Sequence, residues 1–174
     1  MRIFGFAGWS GSGKTTLIEQ VVPRLVASGC VVSLIKHAHQ DFELDRPDKD
    51  SYRHREAGCT EVLISSAKRW AIMHELRGDA QLALEQALDR LSPCDIVLVE
   101  GYKAYPMPKL EVWRAEVGKP LLYPRDPHVV AIATDSPDAL PSGTEKRLPV
   151  YALSDFDKIA TLVATHATAG PLAD

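Results

Sequence analysis

Residues 8–16, Gly-Trp-Ser-Gly-Ser-Gly-Lys-Thr-Thr, place three glycines, hydroxyl side chains and one lysine between an apolar run and an amphipathic stretch. Every fixed position of GxxxxGK(S/T) is met by Gly8, Gly13, Lys14 and Thr15. The chemistry of that spacing is the gripping of a polyphosphate. Glycine lets a loop curl into a nest of backbone N–H groups, and the helix that follows adds its unpaired N–H groups and positive dipole end. The candidate phosphate-binding residues are therefore Gly8, Ser10, Gly11, Ser12, Gly13, Lys14, Thr15 and Thr16. Lys14 would reach the β- and γ-phosphates and the Thr15 hydroxyl would ligate Mg²⁺.

Such a loop needs an acidic group near the metal, at the end of a neighbouring buried strand. Asp-Ile-Val-Leu-Val-Glu-Gly, residues 95–101, supplies Glu100 there; a solvated strand-end glutamate is the alternative reading. The guanine signature NKxD is absent. Asp135, directly after the apolar run 129–134, could accept from guanine N1 and N2, a donor pair that adenine lacks. It could equally open the turn Asp-Ser-Pro-Asp.

Residues 36–58 form the second unusual feature. Lys36, Arg46, Lys49, Arg53 and Arg55 alternate with aspartates and glutamates, and His37, His39 and His54 lie among them. A second anion site, a loop sensing the γ-phosphate, a His37/His39 metal pair and a solvated salt-bridged loop are all compatible with this composition.

The elements that must position these groups follow from periodicity. Residues 2–7 read as a strand, and residues 14–28 as a helix whose apolar stripe is Leu17, Ile18, Val21, Val22, Leu25 and Val26. Pro23 should kink that helix and Gly29 cap it. A strand at 31–35 leads to the polar segment 37–50 and a short helix capped by Asp50 or Ser51. Residues 61–65 and 70–76 could pair as a hairpin. Leu84, Ala87, Leu88 and Leu91 mark a helix, and the unbroken apolar run in 95–101 marks a buried strand. Strands at 109–113 and 129–134 precede a last helix, capped by Ser154, with Phe156, Ile159, Ala160 and Val163 as its apolar face. Residues 107–120, with Trp113, read as an edge-like arm that could pair between subunits, or as an ordinary hairpin arm. The expected fold class is α/β and P-loop NTPase-like: a mostly parallel sheet flanked by helices, with an added antiparallel strand or hairpin. One nucleotide-binding domain over 1–168 and a flexible tail over 169–174 are expected.

The bulk properties agree with a single-domain globular protein. The net charge of −3 gives no general attraction to nucleic acid or anionic membranes, and no apolar run approaches the ~20 residues that span a bilayer. The early loop is expected to leave no room for a cleavable signal sequence. Cys30, Cys59 and Cys94 suggest neither a disulfide framework nor a CxxC site, and each reads as a buried small apolar residue. A cytoplasmic location is expected.

The loop 8–17, residues 34–58, Arg-Trp-Ala-Ile-Met at 69–73, Asp95–Lys103 and 129–135 together resemble the molybdopterin-guanine dinucleotide biosynthesis protein B family. Two departures from its pattern stand out: Asp48 replaces a usual glycine, and Gln40 a frequent histidine. The resemblance implies a GTP-binding adapter of molybdenum cofactor biosynthesis with weak Mg²⁺-dependent GTPase activity, working as a homodimer. Its implied partners are molybdopterin, a molybdenum cofactor guanylyltransferase and cofactor-insertion proteins. Gly11, Gly13, Lys14, Thr15 and Thr16 would hold phosphate and metal, and Glu100 the metal side. Lys36, His37, Asp45, Asp50 and Arg53 would line the site. No catalytic residue is assigned. Two other classes compete. A P-loop small-molecule kinase would need a basic lid, for which 141–149 offers Lys146 and Arg147. A metallochaperone GTPase would use His37 and His39.

Overall fold

In the computed structural model, residues 1–38, 42 and 44–170 are described. They divide into two compact units, residues 1–37 with 84–170, and residues 38–83.

The first unit is built on a parallel sheet. Strands β1 (Arg2–Ala7), β2 (Val32–Lys36), β5 (Ile96–Glu100), β6 (Lys109–Trp113), β7 (Val129–Thr134) and β8 (Val150–Ala152) lie in the order β2-β5-β1-β6-β7-β8. All these pairings are parallel. A short β9 (Thr168–Ala169) runs antiparallel to the start of β1, with Ala169 opposite Arg2 and the Gly170 N–H donating to Met1 O at 3.2 Å.

Strand alternation divides the core between the two faces of the sheet. Phe4, Phe6, Ile96, Leu98, Leu110 and Val112 pack with helices α1 (Lys14–Ala27) and α4 (Phe156–His166) through Leu17, Ile18, Val21, Leu25, Ile159 and Val163. Ile3, Val97 and Val99 face the other way, onto Leu84 and Leu88 of α3 (Leu84–Asp89) and onto Met107. β5 is buried at every position because both of its faces are covered. Helix α1 continues through Pro23, and Gly29 follows its end at φ +90°.

The second unit holds α2 (Asp50–Glu56) and an antiparallel hairpin of β3 (Glu61–Ser65) and β4 (Trp70–His74), in which Leu63 faces Ile72. This is the expected hairpin. A two-stranded ribbon is weak alone, and Arg55 of α2 braces this unit with ion pairs to Asp45 at 2.7 Å and Glu75 at 2.5 Å.

Several expectations are corrected. Residues 109–113 form no edge arm: β6 lies inside the sheet, hydrogen-bonded to β1 and β7, so its backbone is not open to a second subunit. Trp113 is half-buried, its Nε1 donating to Lys119 O at 2.9 Å. Cys59 is exposed, and Cys30 and Cys94 are only partly covered. The α2 N-cap is Lys49, with Asp50 opening the helix where its carboxylate meets the positive dipole end. The α4 N-cap is Asp155, one residue beyond Ser154. Asp48 takes no positive φ, which explains how it can stand in a glycine's place.

Candidate functional site

In a doubly wound sheet, ligands lie outside the carboxyl ends of the strands. β1 ends at Ala7, and residues 8–13 turn into α1 at the centre of that edge. Gly8, Gly11 and Gly13 have φ of +146°, +81° and +90°. At Gly8 the reason is also spatial: a Cβ there would collide with the Val112 carbonyl oxygen of β6 and come within 2.8 Å of Ser12 Oγ. Ser12 is buried, whereas Ser10 and Gly11 are exposed. Gly13 is the N-cap of α1 and supplies no side-chain cap, which leaves the first-turn N–H groups to an anion.

Lys14 bends back over the loop, its Nζ donating to Trp9 O at 2.8 Å. Burial holds its pKa below the ordinary lysine value. Glu100 opposes that shift, while the Lys103 and Lys36 ammonium groups add to it. Thr15 Oγ1 donates to Glu100 Oε1 at 3.0 Å. Lys36, at the end of β2, places Nζ 3.4 Å from Glu100 Oε2 and 3.4 Å from Thr15 Oγ1. Glu100 is 7% exposed. The order β2-β5-β1 makes this cluster, because it sets the carboxyl ends of three adjacent strands side by side. His37 N donates to Glu100 O at 2.9 Å, and its Cβ lies close enough to Gly101 (φ +98°) to exclude any side chain there.

Asp135 follows β7, two strands from β1. Its Oδ2 lies 3.0 Å from Arg114 Nε, and Arg114 also pairs with Glu116 at 2.8 Å. Arg114 extends β6 to the flank of the loop: a Cβ on Gly13 would stand 4.0 Å from its Nε. Thr16, in the first turn of α1, is exposed.

Asp45, Asp50 and Arg53 belong to the second unit. Burial pushes the Asp45 carboxyl upward in pKa, but hydrogen bonds from Ser51 and Arg55, with the Arg55 charge, outweigh it and hold the group below the usual carboxylate range. Asp50 and Arg53 form an exposed pair at 3.7 Å. His39 and Gln40, and so the His37/His39 pair, lie outside the described residues. Among the described residues no three His, Cys, Asp or Glu side chains converge as a metal site. The candidate lid 141–149 is anchored through Thr144, which is buried and lies 3.1 Å from the Tyr123 hydroxyl.

Reading of the sequence missed Arg114, Trp9 and Lys103. Trp9 was an unassigned position of the loop pattern, and its bulk in a run of glycines and serines was the available signal. Trp9 Nε1 donates to Pro120 O at 2.7 Å, and the Lys103 ammonium lies 4.4 Å from its ring centre.

Fold and loop together define a P-loop NTPase-like α/β protein. A model of the family described as molybdopterin guanine dinucleotide synthesis protein B matches residues 3–135, and the chain belongs to that family. It is similar to the molybdopterin-guanine dinucleotide biosynthesis adapter protein of Haemophilus influenzae, 45% identical over 78% of this chain and 75% of the relative. With the adapter protein of the same description from Escherichia coli it shares 39% identity over 88% of this chain and 90% of the relative. The crystal structure of Bacillus subtilis MobB superposes with a TM-score of 0.76 at 21% identity, over 98% of this chain and 100% of that one. No helix among the described residues is long and apolar enough to cross a membrane.

Proposed function

We propose that this protein is a GTP-binding adapter in the synthesis of molybdopterin guanine dinucleotide, acting beside a guanylyltransferase and hydrolysing GTP slowly. The observation that carries the nucleotide reading is the convergence of Lys14, Thr15 and the buried Glu100 at a loop whose glycines keep its backbone bare. The adapter role rests on the relatives that bear that description. Homodimerisation, a cytoplasmic location, and docking to molybdopterin and cofactor-insertion proteins belong to the same proposal.

The loop amides and Lys14 neutralise the β- and γ-phosphates. Thr15 Oγ1 and Glu100, one hydroxyl and one carboxylate held 3.0 Å apart, are a donor set that fits Mg²⁺, the Glu100 side with or without an intervening water. Bound there, Mg²⁺ would neutralise charge on the phosphate oxygens. Lys36 balances the Glu100 carboxylate and helps to orient it. Asp135 accepts from guanine N1 and N2, with Arg114 fixing its carboxylate. Arg114 is already engaged by Asp135 and Glu116, and among the described residues no glutamine directly follows a strand of this sheet. Turnover therefore stays below about one per second, short of enzymes that supply an arginine finger.

Competition binding of GTP, GDP and ATP with Mg²⁺ tests this. The wild type should prefer GTP to ATP, and Lys14→Ala should lose both triphosphates. Asp135→Asn should reduce GTP affinity at least about tenfold and gain xanthosine triphosphate, whose C2 oxygen accepts from an amide. Equal affinity of the wild type for GTP and ATP would overturn the guanine assignment.

A further inference from the structure

Three ammonium groups gather around the loop while the site's own carboxylate is Glu100. Lys14 and Lys36 are already placed; Lys103 is the third, and the Lys119 ammonium lies 6.0 Å from the Trp9 ring centre. In a chain of net charge −3, such a local excess of positive charge is a place built for a polyanion.

The backbone commits Lys103 to this position. After Glu100 the chain turns through Gly101 at φ +98° and Tyr102 at φ +45°. A non-glycine residue in the left-handed region costs conformational energy, and such strain collects at functional sites. The segment is then clamped from below by Lys109, a buried lysine of β6 with no part in the nucleotide reading. Its Nζ donates to Lys103 O at 2.7 Å, Tyr105 O at 2.8 Å and Asp126 Oδ2 at 2.8 Å. Gly5 of β1, opposite Lys109, leaves the room that its stem occupies. The main chain of Lys103 is thus fixed, whereas its side chain rests on an aromatic face 4.4 Å from the ring centre. That ring belongs to the loop itself: the carbonyl of Trp9 receives the Lys14 ammonium and its indole carries the Lys103 ammonium. A cation over an indole is held much more weakly than one paired with a phosphate oxygen.

We propose that Lys103 is a ligand of the terminal phosphate of a bound nucleoside triphosphate, held ready on the Trp9 ring and moving from indole to phosphate when the triphosphate enters. The assignment rests on the nucleotide reading above and adds to it a residue that distinguishes triphosphate from diphosphate.

Calorimetric titration of GTP and GDP with Mg²⁺ into wild type, Lys103→Ala and Lys103→Arg tests it. Lys103→Ala should weaken GTP about tenfold or more, leave GDP within about twofold, and be rescued by arginine. Lys103→Gln serves if the alanine variant does not fold. In a Trp70→Phe/Trp113→Phe background, where Trp9 is the remaining indole, GTP but not GDP should change the fluorescence, and Lys103→Ala should remove that change. A GTP-to-GDP preference unaltered in Lys103→Ala, or equal losses for both nucleotides, overturns the role of Lys103 and leaves the nucleotide reading standing. Failure of the wild type to bind any purine nucleotide overturns both.

Discussion

The Thr15 hydroxyl and the Glu100 carboxylate meet at 3.0 Å, joining the first turn of α1 to the carboxyl end of β5 across 85 positions of sequence. The contact exists because β5 pairs with β1 in parallel register, Phe6 opposite Glu100, so both chains leave the sheet at one level. Glu100→Gln preserves shape and one acceptor but removes the charge. The variant should fold as the wild type does and lose about tenfold or more of the Mg²⁺-dependent part of GTP affinity. Nucleotide titrations with and without Mg²⁺ measure that part directly, and a Glu100→Gln protein with undiminished Mg²⁺ response would remove Glu100 from the metal side.

Glycines of the loop should differ in what they tolerate. A methyl group on Gly8 meets the Val112 carbonyl and Ser12 Oγ, backbone and buried side chain that cannot retreat. Gly8→Ala should cost at least about 3 kcal/mol of stability. Gly11 has nothing within 4 Å of an added Cβ, so Gly11→Ala carries only the left-handed backbone penalty, about 1 kcal/mol. Chemical denaturation of the two variants should separate them clearly.

Lys14 carries a pH signature. Its folded pKa lies below the unfolded value of 10.5, chiefly through burial. Between those two values the unfolded chain binds more protons, so Lys14 makes stability rise with pH there. Below the folded value both states are protonated and the full cost of burying the ammonium remains. Lys14→Met lacks this behaviour. The stability of wild type relative to Lys14→Met should therefore increase as pH rises toward 10.5, and calorimetric unfolding across the alkaline range reads that slope.

In the second unit, Arg55 is the brace between α2, Asp45 and Glu75. Arg55→Ala leaves the covered Asp45 carboxylate without its guanidinium, and Arg55→Lys supplies one point charge where a fork bridges two carboxylates. Both should raise amide exchange in 61–74 while leaving β1 and β5 protected. Unchanged exchange in the hairpin would show that its apolar pairs suffice.

How far the sequence speaks depends on the distance over which a signal acts. Gly8, Gly13, Lys14 and Thr15 are legible because a phosphate-gripping turn is local. The hairpin is legible because alternation and turn residues are local too. Glu100 is found one step further out, from an unbroken apolar run ending in an acid. Lys109 and Arg114 are not found, because residues 109–113 join β1 and β7 only through long-range pairing. A strand beginning with lysine and carrying Glu111 does not look interior. Both charges are covered by partners that only the fold supplies: Asp126 for Lys109, and the Leu122 and Tyr123 N–H groups for Glu111, whose carboxyl burial pushes upward in pKa. Lys103 escaped for the same reason, since its neighbour Trp9 is distant in sequence.

The short pairing of β9 with Arg2 and Ile3 brings both ends of the described chain to the amino pole of β1, whereas the phosphate loop departs from the opposite pole. Appendages joined at either end, whether an affinity handle or a tethered enzyme, would emerge from one patch and leave the loop edge unobstructed. A permuted chain that bridges these ends with a short linker and opens at an exposed turn should retain the same sheet order.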